Sequence, residues 1–245
     1  MSLQSELSDV SSRLSDTLCD VAPVDPVTHI YDPTRYAVMA HRAFLAYARI
    51  GIDALLLGMN PGPWGMAQTG VPFGEVAAVR EFLGINAEIG RPDYEHPKRP
   101  VTGLFCTRSE VSGRRLWGWA QSNFGTCDAF FEHYFVWNWC PLAFLEESGR
   151  NRTPDKLPPS TRQAIEHACD QAIIDVVDLL QPRSVVGVGA FASKRARRAL
   201  AQRDLPVHQI LHPSPASPAA NRGWQPQIEA QLESLGLPAS AGVKS

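Results

Sequence analysis

Three polar residues stand where a chain can do chemistry. Asn60 follows the apolar run Ala54-Leu55-Leu56-Leu57, Asn138 follows Tyr134-Phe135-Val136-Trp137, and His212 follows the run from Val207 to Leu211. Each is braced by proline: Asn60-Pro61-Gly62-Pro63, Asn138-Trp139-Cys140-Pro141 and His212-Pro213-Ser214-Pro215. A residue before proline is pushed into extended backbone, so His212, Ser214 and Ser217 lie on a stiff loop. An amide and an imidazole held this rigidly suit the orientation of a water and the stabilisation of a developing anion. A second amide offers one acceptor beside one donor group and matches a flat ring with adjacent N–H and C=O groups. Phe73, at the far end of the Gly/Pro-rich segment after Asn60, has the face to stack on such a ring and reads equally well as a core residue. Asn and His at strand ends are also ordinary turn residues. Their coincidence at three strand ends makes a shared pocket the stronger reading.

Other chemistries have no signature here. GxSxG, HExxH and a Walker-type phosphate loop do not occur. Ser214, two residues from His212, is fixed as a turn residue and is a poor nucleophile. The five cysteines are odd in number and form no CxxC, which argues against a disulfide framework and a zinc or iron–sulfur site. No metal or cofactor is expected.

The elements that must position these residues are readable in outline. Apolar runs at 54–57, 134–137, 184–188 and 207–211 read as strands buried on both faces. Helical spacing covers 34–49, 75–83, 109–124, 158–180, 190–201 and 224–235. Strands alternating with helices predict an α/β fold with a parallel sheet covered on both faces. In such sheets ligands bind outside the carboxyl ends of the strands, which is where all three polar residues fall. Residues 3–19 predict a peripheral amphipathic helix, 22–33 a connector with three prolines, and 85–108 a long irregular excursion of the kind that often carries function. The chain after Gly236 reads as a disordered tail.

With 245 residues, 44% hydrophobic, the chain suits one globular domain with a short extension. No apolar run approaches the roughly 20 residues of a membrane span, and no secretory signal is visible, so a cytoplasmic protein is expected, or a nuclear one from a eukaryotic source. The net charge of −2 does not advertise a nucleic-acid partner. Its distribution says more. Residues 1–32 hold six acids and one base, a charge of −5, leaving +3 for the rest. Bases cluster at 96–99, at Arg108, at Arg114-Arg115 and from Lys194 to Arg198, as phosphate-binding patches or as solvated faces.

Eight blocks carry a resemblance: LGMNPGPWGMAQTGVPFGEV at 57–76, EHPKRPVTGL at 95–104, SEVSGRRLWG at 109–118, CPLAFL at 140–145, SGRNRTP at 148–154, VVGVG at 185–189, RARRAL at 195–200 and HPSPASPAANRGW at 212–224. Over roughly 29–237 the chain resembles the single-strand-selective monofunctional uracil-DNA glycosylases. The resemblance implies a three-layer α/β/α sandwich with a central four-stranded parallel sheet, with 1–28 as an N-terminal extension, 29–237 as the catalytic domain and 238–245 as a tail. It implies that Asn60 positions the attacking water, that His212 hydrogen-bonds the base oxygen gaining charge, that Asn138 reads the base edge, and that Phe73 stacks on it. Met59, Gly62 and Met66 would line the base pocket, the last two near ring position 5, where 5-substituted uracils are admitted. The loop carrying Ser214, Pro215, Ala216 and Ser217, with Arg222, Gly223 and Trp224, would wedge into DNA. Ala216 and Ser217 stand where better-known animal members have a bulky basic residue and an asparagine, which predicts a blunter wedge. The implied partner is DNA, single- or double-stranded, acted on by a monomer without strand cleavage. Alternatives are the same scaffold shifted to deaminated purines such as xanthine or hypoxanthine, or to oxidised pyrimidines, and a nucleic-acid-binding module with a degenerate pocket.

Overall fold

The computed structural model describes residues 2–242. The acidic N-terminal helix α1 (Leu3–Thr17) comes first, capped by Ser2, and is followed by strand β1 (Val27–Tyr31) and the short helices α2 (Pro33–Tyr36) and α3 (Val38–Leu45). Strand β2 (Ala54–Gly58) then delivers the Gly/Pro segment and helix α4 (Met66–Thr69). The region expected as a helix at 75–83 forms a single wide turn, Ala78–Phe82. The excursion that follows is irregular apart from one turn at Gly103–Phe105. Helices α5 (Val111–Phe124) and α6 (Cys127–His133) lead into β3 (Tyr134–Asn138), β4 (Ala143–Glu146) and β5 (Asn151–Arg152). The chain ends with α7 (Pro159–Leu180), β6 (Val185–Val188), α8 (Ala190–Ala199), β7 (Val207–Ile210) and α9 (Trp224–Ser234).

The four expected strands make one parallel sheet in the order β3-β2-β6-β7. Every residue of β2, β3 and β6 is buried, as helices on both faces require. On one face α8 lies on β6, α7 on α8, and α1 on α7; α5 and α9 cover the other. Around β3 an aromatic cluster joins Phe44 of α3, Trp117 of α5, Phe131 of α6 and Phe135. The α/β sandwich expected from the strand pattern is the fold observed.

Three expectations need correction. The connector at 22–33 contains β1, which pairs antiparallel with β4; β4 pairs in turn with β5. Its flanking prolines masked a short edge strand. This second sheet has its own small core of Tyr31, Ala67, Val101, Ala143 and Leu145, packed behind the segment that carries Asn60. The helix α1 is integral: Leu7, Val10, Leu14 and Leu18 all lie in the main core. Its Ser11 hydroxyl donates to Nε2 of buried His41, whose Nδ1–H donates to the carbonyl of Gly70 at 2.9 Å, so α1 supports the end of α4. Finally, the chain after Gly236 is docked as far as Ala241. Ala241 N–H donates to the Asn123 carbonyl, and Asn123 Nδ2 donates to the Ala239 carbonyl. These bonds satisfy backbone groups that a free tail would leave to water. The last three residues of the expected tail, 243–245, lie outside the described residues.

The basic run from Lys194 to Arg198 is not one surface. Arg195 is buried, bonded to Asp170 and Glu166, and its guanidinium lies over the Trp139 ring at 4.7 Å. The same Asp170 accepts from Trp139 Nε1 at 2.7 Å. This network fixes the residue that follows Asn138.

Because Leu7 is fully buried, Leu7→Ala lowers the unfolding free energy by about 2–5 kcal/mol, whereas a loosely attached helix would lose under about 0.5 kcal/mol. Urea denaturation at an unchanged slope distinguishes the two.

Candidate active site

Register decides what reaches the site. Gly58 pairs with Asn138, Leu57 with Gly187, and Val188 with Ile210. The ladder continues past the strands, with Trp139 N–H donating to the Gly58 carbonyl and Cys140 N–H to that of Met59. Gly189 N–H donates to the Ile210 carbonyl. Strands that end level release their next residues at one edge. Asn60, Asn138 and His212 accordingly line one cavity of about 440 Å³, with Met59, Gly62, Met66, Phe73, Ser214 and Pro215.

Each polar side chain is held with one atom left for a ligand. Asn60 Nδ2 donates to the Leu142 carbonyl at 3.1 Å and leans on that of Pro61 at 3.5 Å. Its amide oxygen is thereby left to accept from a water. Asn138 Nδ2 donates to Met66 Sδ at 3.2 Å, a weak acceptor that a carbonyl oxygen would displace. The Ser214 N–H donates to Nδ1 of His212 at 3.0 Å, which puts the imidazole proton on Nε2. Burial pushes the His212 pKa down to about 4. The ring is therefore a neutral N–H donor at physiological pH rather than a cation.

Glycines make the crowding possible. A Cβ on Gly58 would lie 2.2 Å from Asn138 Oδ1 and 2.6 Å from Phe73 Cε2, so the amide and the ring approach one another across bare backbone. Gly189, at φ +92, admits His212 at 3.0 Å in the same way. Phe73 itself has a positive φ of 54, a conformation costing about 1–3 kcal/mol for a bulky residue. Its carbonyl is seated against Gly113 of α5, where a Cβ would meet it at 2.0 Å. The Phe73 ring lies 6.3 Å from that of His212.

A match to the family model of the uracil DNA glycosylase superfamily spans residues 46–233. The chain is 50% identical to a single-strand selective monofunctional uracil-DNA glycosylase of Rattus norvegicus, over 92% of this chain and 82% of that one. The chain belongs to the uracil-DNA glycosylase superfamily, in its single-strand-selective monofunctional branch. A Bos taurus protein of the same description is 48% identical over 96% of this chain and 86% of its own. The fold matches the crystal structure of wild-type Pedobacter heparinus SMUG2 with a TM-score of 0.68 at 16% identity, covering 96% and 97% of the two chains.

In this uracil-DNA glycosylase superfamily member the loop after His212 is rigid. Arg115 of α5 donates from Nη1 to the Pro213 carbonyl and from Nη2 to Asn221 Oδ1, both at 2.9 Å. Asn221 Nδ2 donates to the Pro215 carbonyl, and Ser214 Oγ and Ser217 Oγ accept from Ala216 N–H and Ala220 N–H. Pro215 and Ala216 form an exposed tip, and Arg222 and Gly223 are also exposed. Trp224, assigned above to the DNA wedge, is turned inward. It is 3% exposed and donates from Nε1 to the Leu211 carbonyl, so it anchors the loop from below.

The sequence reading missed four polar wall residues, Glu110, Ser112, Asn151 and Thr153, and did not assign Pro63 and Gly65 of the Gly/Pro turn to the wall. Glu110 caps α5, and its carboxylate lies where a Cβ on Gly62 would meet it at 2.5 Å; burial raises its pKa. Asn151 Nδ2 donates to the Pro61 carbonyl, which holds the turn beside Asn60. Asn151 Oδ1 and Thr153 Oγ1 are buried with no partner among the described residues. An acidic cap just before a helical run was the available signal for Glu110; β5 is too short to give one.

The sign of the His212 effect is fixed by its lowered pKa. The unfolded chain takes up this proton near 6.5 and the folded one near 4, so the stability carried by the neutral ring is complete above 6.5 and is lost as pH falls toward 4. An NMR titration of the ring has its midpoint near 4; a midpoint at 6.5 would mean that the ring is hydrated rather than enclosed.

Proposed function

We propose that the enzyme draws uracil out of DNA into this cavity and hydrolyses its N-glycosidic bond, with Asn60 directing the water, His212 stabilising the departing base, Asn138 reading it and Phe73 stacking on it. The observation that carries the reading is the convergence of an amide acceptor, an amide donor–acceptor pair and a neutral imidazole N–H on one cavity. Everting the base costs a few kcal/mol, less where it is mispaired or already single-stranded. As the bond breaks, positive charge grows on the sugar and negative charge on the uracil ring. The Nε2–H of His212 meets that anion without needing to reorganise, and one such donor is worth ~10²–10³ in rate. A water held by Asn60 Oδ1 adds its oxygen to the sugar carbon, and its proton leaves with the base or to solvent. A neutral imidazole suits this role, since it donates a hydrogen bond without protonating the base outright.

Selectivity follows from Asn138. Uracil offers N3–H to Oδ1 and O4 to Nδ2, whereas cytosine reverses both and leaves two pairs unsatisfied, at about 1–3 kcal/mol each. Among the described residues no lysine lines the cavity, which supports hydrolysis by water over a covalent sugar–amine adduct and leaves the DNA strand uncut. The exposed Pro215-Ala216 tip, stiffened by Arg115, is the element placed to fill the gap the base leaves. Single strands, which need no such filling, are the substrate the small tip favours. The enzyme works as a monomer in the compartment that holds the DNA.

Asn60→Ala and His212→Ala each lower single-turnover uracil release by about 10²-fold or more, with thermal unfolding close to wild type; near-normal release by both variants would remove the assignment. Asn138→Asp places an acceptor where uracil also presents one, and the ratio of uracil to cytosine release falls by at least about tenfold. An unchanged ratio in competing oligonucleotides would put base reading elsewhere.

A further inference from the structure

Trp64 lies in the turn that carries Asn60, between Pro63 and Gly65, both of which line the cavity. Two guanidiniums converge on its indole. Arg99 Cζ is 4.9 Å from the ring centroid and Arg108 Cζ is 5.2 Å. They come from the two ends of the irregular segment 99–108, so the excursion folds back to bring both to one ring. One arginine over a tryptophan is a favourable cation–π contact. A second cation on the same ring lies within about 10 Å of the first, inside one Debye length, and repels it.

No ion pair relieves that repulsion among the described residues. Among the described residues neither Arg99 nor Arg108 forms an ion pair, while Arg152, Arg195 and Arg203 are paired with Glu146, with Glu166 and Asp170, and with Asp178. Among the described residues Arg99 Nε is buried with no partner, and Nη1 donates only to the Lys98 carbonyl, at 2.7 Å. Lys98, which is exposed, donates to the Glu147 carbonyl and, among the described residues, pairs with no carboxylate. The Arg99 group is nonetheless fixed in place: it rests on Gly149, where a Cβ would lie 2.9 Å from its Cζ. His96, from the same basic run, is not part of this surface. It is buried and bonded to the Glu146 carbonyl.

We propose that Arg99 and Arg108, gathered on Trp64 at the rim of the base cavity, are a clamp for a DNA backbone phosphate beside the everted nucleotide. The proposal rests on the glycosylase reading for its partner and goes beyond it in naming a site. Planar guanidiniums match the oxygens of a phosphodiester and bind them in pairs. A nucleotide inserted into the cavity carries its own phosphates over the rim, one residue from Trp64. The clamp reads no base and needs no second strand, so it holds a single strand as well as a duplex.

The test is fluorescence anisotropy with a single-stranded oligonucleotide carrying one central tetrahydrofuran abasic-site analogue, titrated over a series of salt concentrations. For Arg108→Ala the slope of log Kd against log salt becomes shallower by about 0.7, the value for one lost phosphate contact on single strands. Arg108→Lys keeps most of the slope. Arg203→Ala, at the opposite end of the sheet, leaves it unchanged. Arg108 is exposed, so its removal does not threaten folding. An unchanged slope in Arg108→Ala, or equal flattening by Arg203→Ala, overturns the clamp. Uracil release by the wild-type protein is scored on a separate strand. Flattening without any release would fail the glycosylase reading and keep the clamp; release with an unchanged slope would fail the clamp alone.

Discussion

The unslipped parallel ladder of β3-β2-β6-β7 is the constraint on which the site depends. Side chains alternate between the two faces of a strand, so a slip of one residue would turn Asn138 to the opposite face of the sheet. The pairing of Gly58 with Asn138 and of Val188 with Ile210 prevents this. It also brings three strand ends level, so that residues far apart in the chain leave the sheet at one edge. The apolar character of the strands, buried on both faces, is therefore a positioning device as much as a source of stability.

Enclosure then gives those residues their chemistry. Burial holds His212 neutral, and the Ser214 N–H selects the tautomer that donates from Nε2. The second, antiparallel sheet fixes the amide of Asn60 through the Leu142 carbonyl and steadies the adjoining turn through Asn151. These features oppose folding locally: a strained Phe73, two orphaned polar atoms at Asn151 and Thr153, and a desolvated imidazole. The opposing contribution comes from elsewhere, from the aromatic cluster around β3 and from α1 packed on α7. The division is the usual one between a rigid scaffold and a preorganised, destabilised site.

Charge shows a similar division. Several arginines away from the cavity, among them Arg152, Arg183 and Arg203, are matched by carboxylates, and Arg195 is buried to secure Trp139 and thereby the end of β3. Arg99 and Arg108 at the rim form no ion pair among the described residues. Net charge of the whole chain, slightly negative, hides this arrangement, because residues 1–32 carry −5 and the remainder +3.

The sequence by itself determined the four parallel strands, the polar residues at three of their ends and the proline-braced loop after His212. These are local signals: an apolar run long enough for a buried strand, and a breaker that stops it. Only the tertiary structure decided the rest. The strand β1 is short, flanked by prolines and paired with residues over a hundred positions away, so nothing local announces it. The pattern of α1 showed an apolar stripe but not that α7 covers it, because its partner lies far along the chain. Trp224 sits in a loop whose exposed neighbours gave no sign that its indole would turn inward to bond Leu211. Glu110 reaches the cavity wall only because α5 begins beside Gly62 and Gly65. In each case the deciding contact joins segments far apart in sequence, and no pattern within either segment records the other.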